Sequence, residues 1–181
     1  WFGFNAGSAL GATHKAAVVF VTTLLAGASG IVGWLVVERR RDGSLTSFGA
    51  ASGLVGGLVA ITPSCGSLTP VGALIMGALA GAVCCLAVGL KYRFGYDDSL
   101  DVVGVHLVGG IVGTLGIGLL ATDLAPTAVS GLFYGGGVAQ LGRQAIGAGT
   151  VLVYAFVLSA LLGLAIERTM GFRIHREDEM S

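Results

Sequence analysis

The sequence predicts an all-α polytopic membrane protein, and three observations carry that prediction. Charged side chains are scarce: 10 basic and 10 acidic residues in 181, or 11%, against ~25% in an ordinary soluble protein. Apolar residues make up 54%, and mean hydropathy is +0.87. The charges are also bunched, leaving uncharged runs that reach the ~20 residues a helix needs to cross a ~30 Å hydrocarbon core. By length alone the chain would make one domain. The 32 glycines follow no Gly-X-Y period, which excludes collagen. The apolar content excludes a disordered chain. Net charge is zero, so nothing points to nucleic acid. Cys65, Cys84 and Cys85 form neither a full disulfide set nor a metal-ligand spacing, and no cofactor is implied.

The first span is expected at residues 16–37, a run of 22 without a charge, stopped by Glu38-Arg39-Arg40-Arg41-Asp42. Residues 43–90 then carry no charge for 48 positions, too long for one helix and right for two. The turn residues of Thr62-Pro63-Ser64-Cys65-Gly66-Ser67-Leu68-Thr69-Pro70 divide them. The second span is therefore expected at 45–61 and the third at 71–90, followed by a polar loop at 91–98. The fourth is expected at 100–121, a Gly-rich connection at 123–143 and the fifth span at 144–166. Residues 167–181 form a polar tail with 7 charges in 15. The membrane part is thus 1–166. It begins at Trp1, inside an apolar motif, with no basic leader region before it, and reads as a fragment lacking its N-terminal part.

Five spans sort the loops into two sets. Arg39, Arg40, Arg41, Lys91, Arg93, Arg168, Arg173 and Arg176 fall in one, Lys15 and Arg143 in the other. By the positive-inside rule the larger set, with the C-terminus, is cytoplasmic. Trp1 and the 62–70 turn then face outward. Lipid gives helices no hydrophobic push toward one another, so close backbone approach at small residues matters. Gly49/Gly53/Gly57, Gly77/Gly81 and Gly109/Gly113, each at spacing four, read as packing positions.

His106 stands out as the sole ionisable side chain within residues 102–122. Ionisable groups inside a membrane mark conduction paths. Helical spacing puts Gly109, Gly110 and Gly113 on its face and leaves Val108, Ile111, Val112, Leu115 and Leu119 for lipid. The expectation is that His106 points into the bundle, about 10 Å in from Ser99 at ~1.5 Å per residue. Asp98 or Ser99 can cap this helix, and Asp101 falls in its first turn, where an anion meets the positive helix end. The same acids can organise a pore vestibule. Trp1-Phe2-Gly3-Phe4-Asn5-Ala6-Gly7-Ser8 alternates aromatic with small and polar residues. Such a stretch is either a belt anchor or a site where aromatic faces attract a small cation and Ser8 offers a hydroxyl. His14-Lys15 in an outer loop and His175 in the tail read as solvated. Gly27-Ala28-Ser29-Gly30 matches the G-x-S-G of rhomboid intramembrane proteases, with His106 as a base. In a chain so rich in small residues it reads more simply as packing.

Taken together, these segments resemble the bacterial branch of the ammonium transporter/Rhesus superfamily. Trp1 to Ser8 is similar to the segment closing that family's sixth helix. Thr62-Pro63-Ser64-Cys65-Gly66 is similar to its outer turn between helices eight and nine. Asp97-Asp98-Ser99-Leu100-Asp101-Val102-Val103-Gly104-Val105-His106 is similar to the start of its tenth helix. Gly171-Phe172-Arg173-Ile174 fits its tail. The resemblance covers essentially the whole chain. It implies the C-terminal half of an eleven-helix transporter, with the five spans as helices seven to eleven of a fold built on two inverted five-helix repeats plus a last helix. It implies that His106 is the second of two pore histidines, Phe4 one of two gate phenylalanines, Trp1 a pore-lining residue and Ser8 part of an outer recruitment site. It implies a homotrimer in the plasma membrane that takes ammonium or ammonia, with a PII-type regulator docking on the cytoplasmic tail. An ammonium sensor is the related alternative.

Overall fold

The computed structural model describes residues Trp1–Gly171, which are helical with no strand among them. Five stretches are long and apolar enough to cross a membrane: His14–Asp42, Ser47–Ser64, Pro70–Phe94, Val102–Leu120 and Val138–Thr169. The chain is therefore a multi-pass membrane protein. The tail residues Phe172, Arg173, Ile174, His175 and Arg176 lie outside the described residues. Two units are distinguished, Trp1–Ala145 and Ile146–Ser181.

The first unit opens with a short helix α1 (Phe2–Asn5) and a 3-10 turn at Gly7–Ala9. Helix α2 (His14–Asp42) starts two residues before the expected span, because the Thr13 hydroxyl accepts from the Ala16 amide at 3.4 Å. It also outlasts the expected stop at 37. The cluster Arg39–Arg41 occupies its last turn, where the negative end of the helix dipole favours cations, and Gly43 (φ +73°) closes it with an N–H bond to the Arg39 carbonyl. Glu38 is buried there, accepting from the Thr46 amide (3.2 Å) and hydroxyl (2.7 Å). Thr46 in turn caps α3 (Ser47–Ser64) by accepting from the Gly49 amide at 2.8 Å.

Helix α3 runs past the expected boundary at 61 and takes Pro63 into its last turn. A proline there donates no N–H to the turn before it. Two hydroxyls satisfy carbonyls in the same stretch, Thr62 bonding Leu58 at 2.8 Å and Ser64 bonding Ala60 at 3.2 Å. Helix α4 (Pro70–Val88) has Thr69 as its cap and proline in its first turn, the position where a missing N–H costs nothing. A short helix α5 (Leu90–Phe94) extends it into the expected polar loop, ending at Gly95 (φ +69°). Next come a π-helical turn (Val102–Leu107) and α6 (Val108–Leu120). The connection after α6 includes a 3-10 turn at Leu132–Tyr134 and stops at Gly137 (φ +67°), so α7 (Val138–Thr169) begins six residues before the expected 144. The second unit, in its described part, is the remainder of α7.

Glycine sets the packing within the first unit. The Ala26 carbonyl of α2 faces Gly57 of α3 and Gly77 of α4, and one turn on the Gly30 carbonyl faces Gly53 and Gly81. A Cβ on any of these four glycines would run into a main-chain oxygen. Gly113 of α6 meets the Ala60 backbone, and Gly109 meets Val59 and Cys84. Ala26, Ala60, Ile61, Leu68, Ala73, Met76 and Ala80 form one core cluster, with Trp34, Cys84, Cys85 and Val105 in a second. No buried side-chain polar atom among the described residues lacks a partner, as a medium without water demands.

Adjacent glycines give a sharp test. At Gly57 a Cβ would meet the Ala26 carbonyl group and come within 3.2 Å of Gly30, whereas at Gly56 it would meet Cys84 at an ordinary 3.5 Å. Gly57→Ala should destabilise the purified full-length protein by about 1–3 kcal/mol through overpacking. Gly56→Ala should leave its melting temperature within a degree or two. Equal effects from the two would contradict the packing described.

Candidate functional site

The sequence singles out the turn that carries His106, and the structure shows how unusual that turn is. Asp101 has left-handed backbone (φ +56°, ψ +31°), a region that few residues other than glycine, Asn and Asp occupy. The Asp98 carboxylate accepts three main-chain bonds in succession, from Val102 (2.7 Å), Val103 (3.0 Å) and Gly104 (3.3 Å). It therefore satisfies the first donors of the helix, as expected of a cap. Asp101 does not fill the first-turn role expected for it. It sits at the corner before the helix, and its carboxylate pairs with Lys91 Nζ at 2.7 Å. Lys91 also donates to the Asp98 carbonyl at 3.0 Å, so one ammonium holds both ends of the Asp98–Asp101 corner.

Beyond the corner the chain makes a π turn, with the Val108 N–H reaching the Val103 carbonyl five residues back. A π turn adds a residue to the turn, which rotates everything after it by about 100° relative to an unbroken α-helix. The expected faces are corrected accordingly. Gly109 and Gly113 are buried against α3, whereas His106 is exposed on the surface of this chain and does not share their face. Val108 and Val112, expected toward lipid, pack against the two core clusters. The residues just before His106 are fixed on α4. A Cβ on Gly104 would lie 2.9 Å from Val88 Cα, and Cys84 Sγ lies 3.6 Å from the Val105 carbonyl oxygen. Gly110, one turn after His106, has open space where a side chain would be. No described residue bonds the His106 imidazole.

The other expected residues lie at the opposite end of the spans. Trp1 Nε1 donates to Thr62 Oγ1 at 2.8 Å. Asn5 is buried and donates to Thr23 Oγ1 at 3.1 Å, a structural role. Phe2 stacks on Phe20 with ring centroids 4.1 Å apart. Phe4 is left 76% exposed, and the exposed Ser8 hydroxyl donates to the Phe4 carbonyl. Because α3 and α6 run parallel, with Gly113 beside Ala60, His106 lies about 13 Å along the axes from the level of Thr62, at ~1.5 Å per residue. Ser29 does not join His106. Its hydroxyl donates to Ala26 in its own helix and faces Gly77, which is packing, not a nucleophile beside a base.

Comparison with known proteins decides what this arrangement belongs to. The Ammonium Transporter Family model matches residues 1–181. The chain belongs to the ammonium transporter family. It is 57% identical over 185 residues to an ammonium transporter of Mycobacterium tuberculosis, covering 99% of this chain and 39% of the relative. It is 40% identical over 181 residues to an ammonium transporter of Bacillus subtilis, covering 99% of this chain and 45% of the relative. Among solved structures it is similar to Mep2 of Candida albicans, with TM-score 0.88, 32% identity and coverage of 98% of this chain and 40% of that one. It is also similar to a Sensor Amt Protein, with TM-score 0.89, 31% identity and coverage of 99% and 44%. The chain therefore spans about two-fifths of the length of these ammonium transporter relatives. The matched curated relatives are named ammonium transporters, which sets aside the protease alternative.

Lys91 and Thr62 were not legible as site residues from sequence. Lys91 counts there only as a cytoplasmic charge, and its partner stands ten positions away across a turn. The Asp98 cap is testable by itself. Asp98→Ala should speed amide exchange at Val102, Val103 and Gly104 and destabilise the protein by about 1–2 kcal/mol, as loss of a helix cap does. Unchanged exchange at those three amides would contradict the cap.

Proposed function

We propose that this chain is the C-terminal half of an ammonium transporter in the plasma membrane, a protein of eleven helices of which it supplies the last five. The carrying observation is His106, an ionisable side chain on an exposed face of a membrane span, four residues before a glycine, Gly110, with open space around it. A histidine left facing hydrocarbon is costly, so such a face belongs against a cavity or against protein. We take it as one wall of a pore whose other wall lies in the part of the transporter outside this chain.

The chemistry follows from the size of the desolvation problem. Moving bare ammonium into an apolar channel costs tens of kcal/mol, and the spans hold no string of carboxylates to offset it. Aromatic faces and a hydroxyl at the outer end, from Trp1, Phe4 and Ser8, gather the cation without carrying it across. Removing a proton leaves ammonia, which passes an apolar channel at far smaller cost. A neutral imidazole at His106 accepts a hydrogen bond or a proton from the substrate. Potassium, which has no proton to give, is rejected by the same step. Asp98 and Asp101 act as vestibule acids that shape the inner end.

Family membership supports three further features of the same reading: a homotrimer, a cytoplasmic C-terminus and a PII-type regulatory protein docking on the tail. The similarity to a Sensor Amt Protein favours a second reading, an ammonium sensor signalling through a partner. A longer C-terminal output domain in the full-length protein would support the sensor reading.

Uptake of a labelled ammonium analogue by the full-length protein tests the transporter reading. His106→Ala should abolish selective uptake at unchanged membrane abundance, and unaltered transport and selectivity would sink the assigned role. Orientation is tested through Cys65, which lies in the outer turn, while Cys84 and Cys85 are buried. Partial burial pushes the Cys65 thiol up, and the thiolate is the reactive form. A membrane-impermeant thiol reagent added outside whole cells should therefore label Cys65 slowly, faster as pH rises. Labelling from the cytoplasmic side alone would reverse the orientation.

A further inference from the structure

The geometry points to Lys91 as a positioning residue for His106. The inference rests on the transporter reading above and adds to it the device that sets where the imidazole stands. The Lys91 ammonium spans the corner that begins the His106 turn, donating to the Asp98 carbonyl at 3.0 Å and pairing with Asp101 Oδ1 at 2.7 Å. Both side chains of that ion pair are largely withdrawn from solvent, at 15% and 12% exposure.

Three features make this pair more than a surface contact. First, it holds Asp101 in left-handed backbone, a strained conformation that persists only where its surroundings enforce it. Second, that corner aims the Asp98 carboxylate at the three amides of Val102, Val103 and Gly104, so the π turn starts from it. Third, Lys91 sits on α5, directly after α4. The turn is also laid against α4 at Gly104–Val88 and Val105–Cys84. Lys91 thereby references the phase of the His106 turn to α4. Without it the strained corner is free to relax toward ordinary helix. An α-helical continuation would turn residues 102–107 about the axis relative to α6 and shift His106 from its present place on the exposed surface. Lys91 touches no substrate in this scheme and acts through the placement of the ring.

The experiment is initial-rate uptake of labelled methylammonium by the full-length transporter, normalised to membrane abundance, with rubidium entry measured in parallel. Lys91→Met should lower the maximal rate about ten- to hundredfold, the scale on which a small misplacement of a working group is felt. The half-saturating concentration should stay unchanged, because Trp1, Phe4 and Ser8 are at the other end. Lys91→Arg should recover most of the rate. Asp101→Asn, which tolerates left-handed backbone but cannot form the ion pair, should reproduce the fall and guards against a Lys91→Met protein that does not fold. In a His106→Ala background, where selective uptake is already lost, Lys91→Met should leave the residual methylammonium and rubidium entry unchanged. A Lys91→Met protein with the wild-type maximal rate per molecule overturns the inference, as does a fall that persists on top of His106→Ala. If His106→Ala itself transports normally, the transporter reading fails first, and it fails independently of Lys91.

Discussion

Two carbonyl groups on α2 organise the helical core of the first unit. The Ala26 and Gly30 oxygens lie one turn apart, and each is met by a glycine from α3 and a glycine from α4. In lipid no hydrophobic force drives helices together, so attraction comes from close contact of backbones. Four glycines are needed because a single methyl at any of them would collide with an oxygen. From this three-helix contact the remaining geometry follows. With α3 and α4 fixed about α2, Gly113 and Gly109 seat α6 against α3, and Val88 of α4 receives Gly104.

The proposed functional region is where the chain departs from this regular packing. A left-handed aspartate, a carboxylate cap over three amides and a π turn follow one another within ten residues. Each is a local cost or irregularity, and together they present one ionisable ring on a face that the rest of the helix does not share. Strained backbone is maintained where the surroundings over-determine it. Here the surroundings are an ion pair from α5 and two close contacts on α4. The proposed pore role gives this arrangement a purpose: a proton-accepting group beside a narrow, side-chain-free wall.

Much of this was legible in the sequence, and the parts that were not have physical causes. The five spans followed from charge spacing, because hydrocarbon tolerates so few charges. The glycine pairs followed from their spacing of four, and a cap at Asp98 or Ser99 from their place before an apolar run, with Asp98 filling it in the structure. Helix ends were misjudged where long-range or side-chain contacts extend a helix beyond its apolar stretch. The arginines of α2 continue the helix, the hydroxyls of Thr62 and Ser64 accompany Pro63 within α3, and α7 starts directly after Gly137. The phase of His106 relative to Gly109 and Gly113 was not legible for a different reason. Extrapolation at 3.6 residues per turn assumes an unbroken α-helix, and a π turn at residues 102–107 leaves no signature in hydrophobic periodicity. Lys91 was invisible as a site residue because its role depends on a three-dimensional pairing with Asp101.

What covers the exposed face of His106 in the full-length protein decides whether the proposed pore role holds. A high-resolution structure of the full-length protein, determined with ammonium present, measures this directly. In the proposed pore the imidazole lines an enclosed passage, with Gly110 on the same side and ordered density within hydrogen-bond distance of a ring nitrogen. A ring packed against lipid, or sealed between helices with no passage beside it, would contradict the account.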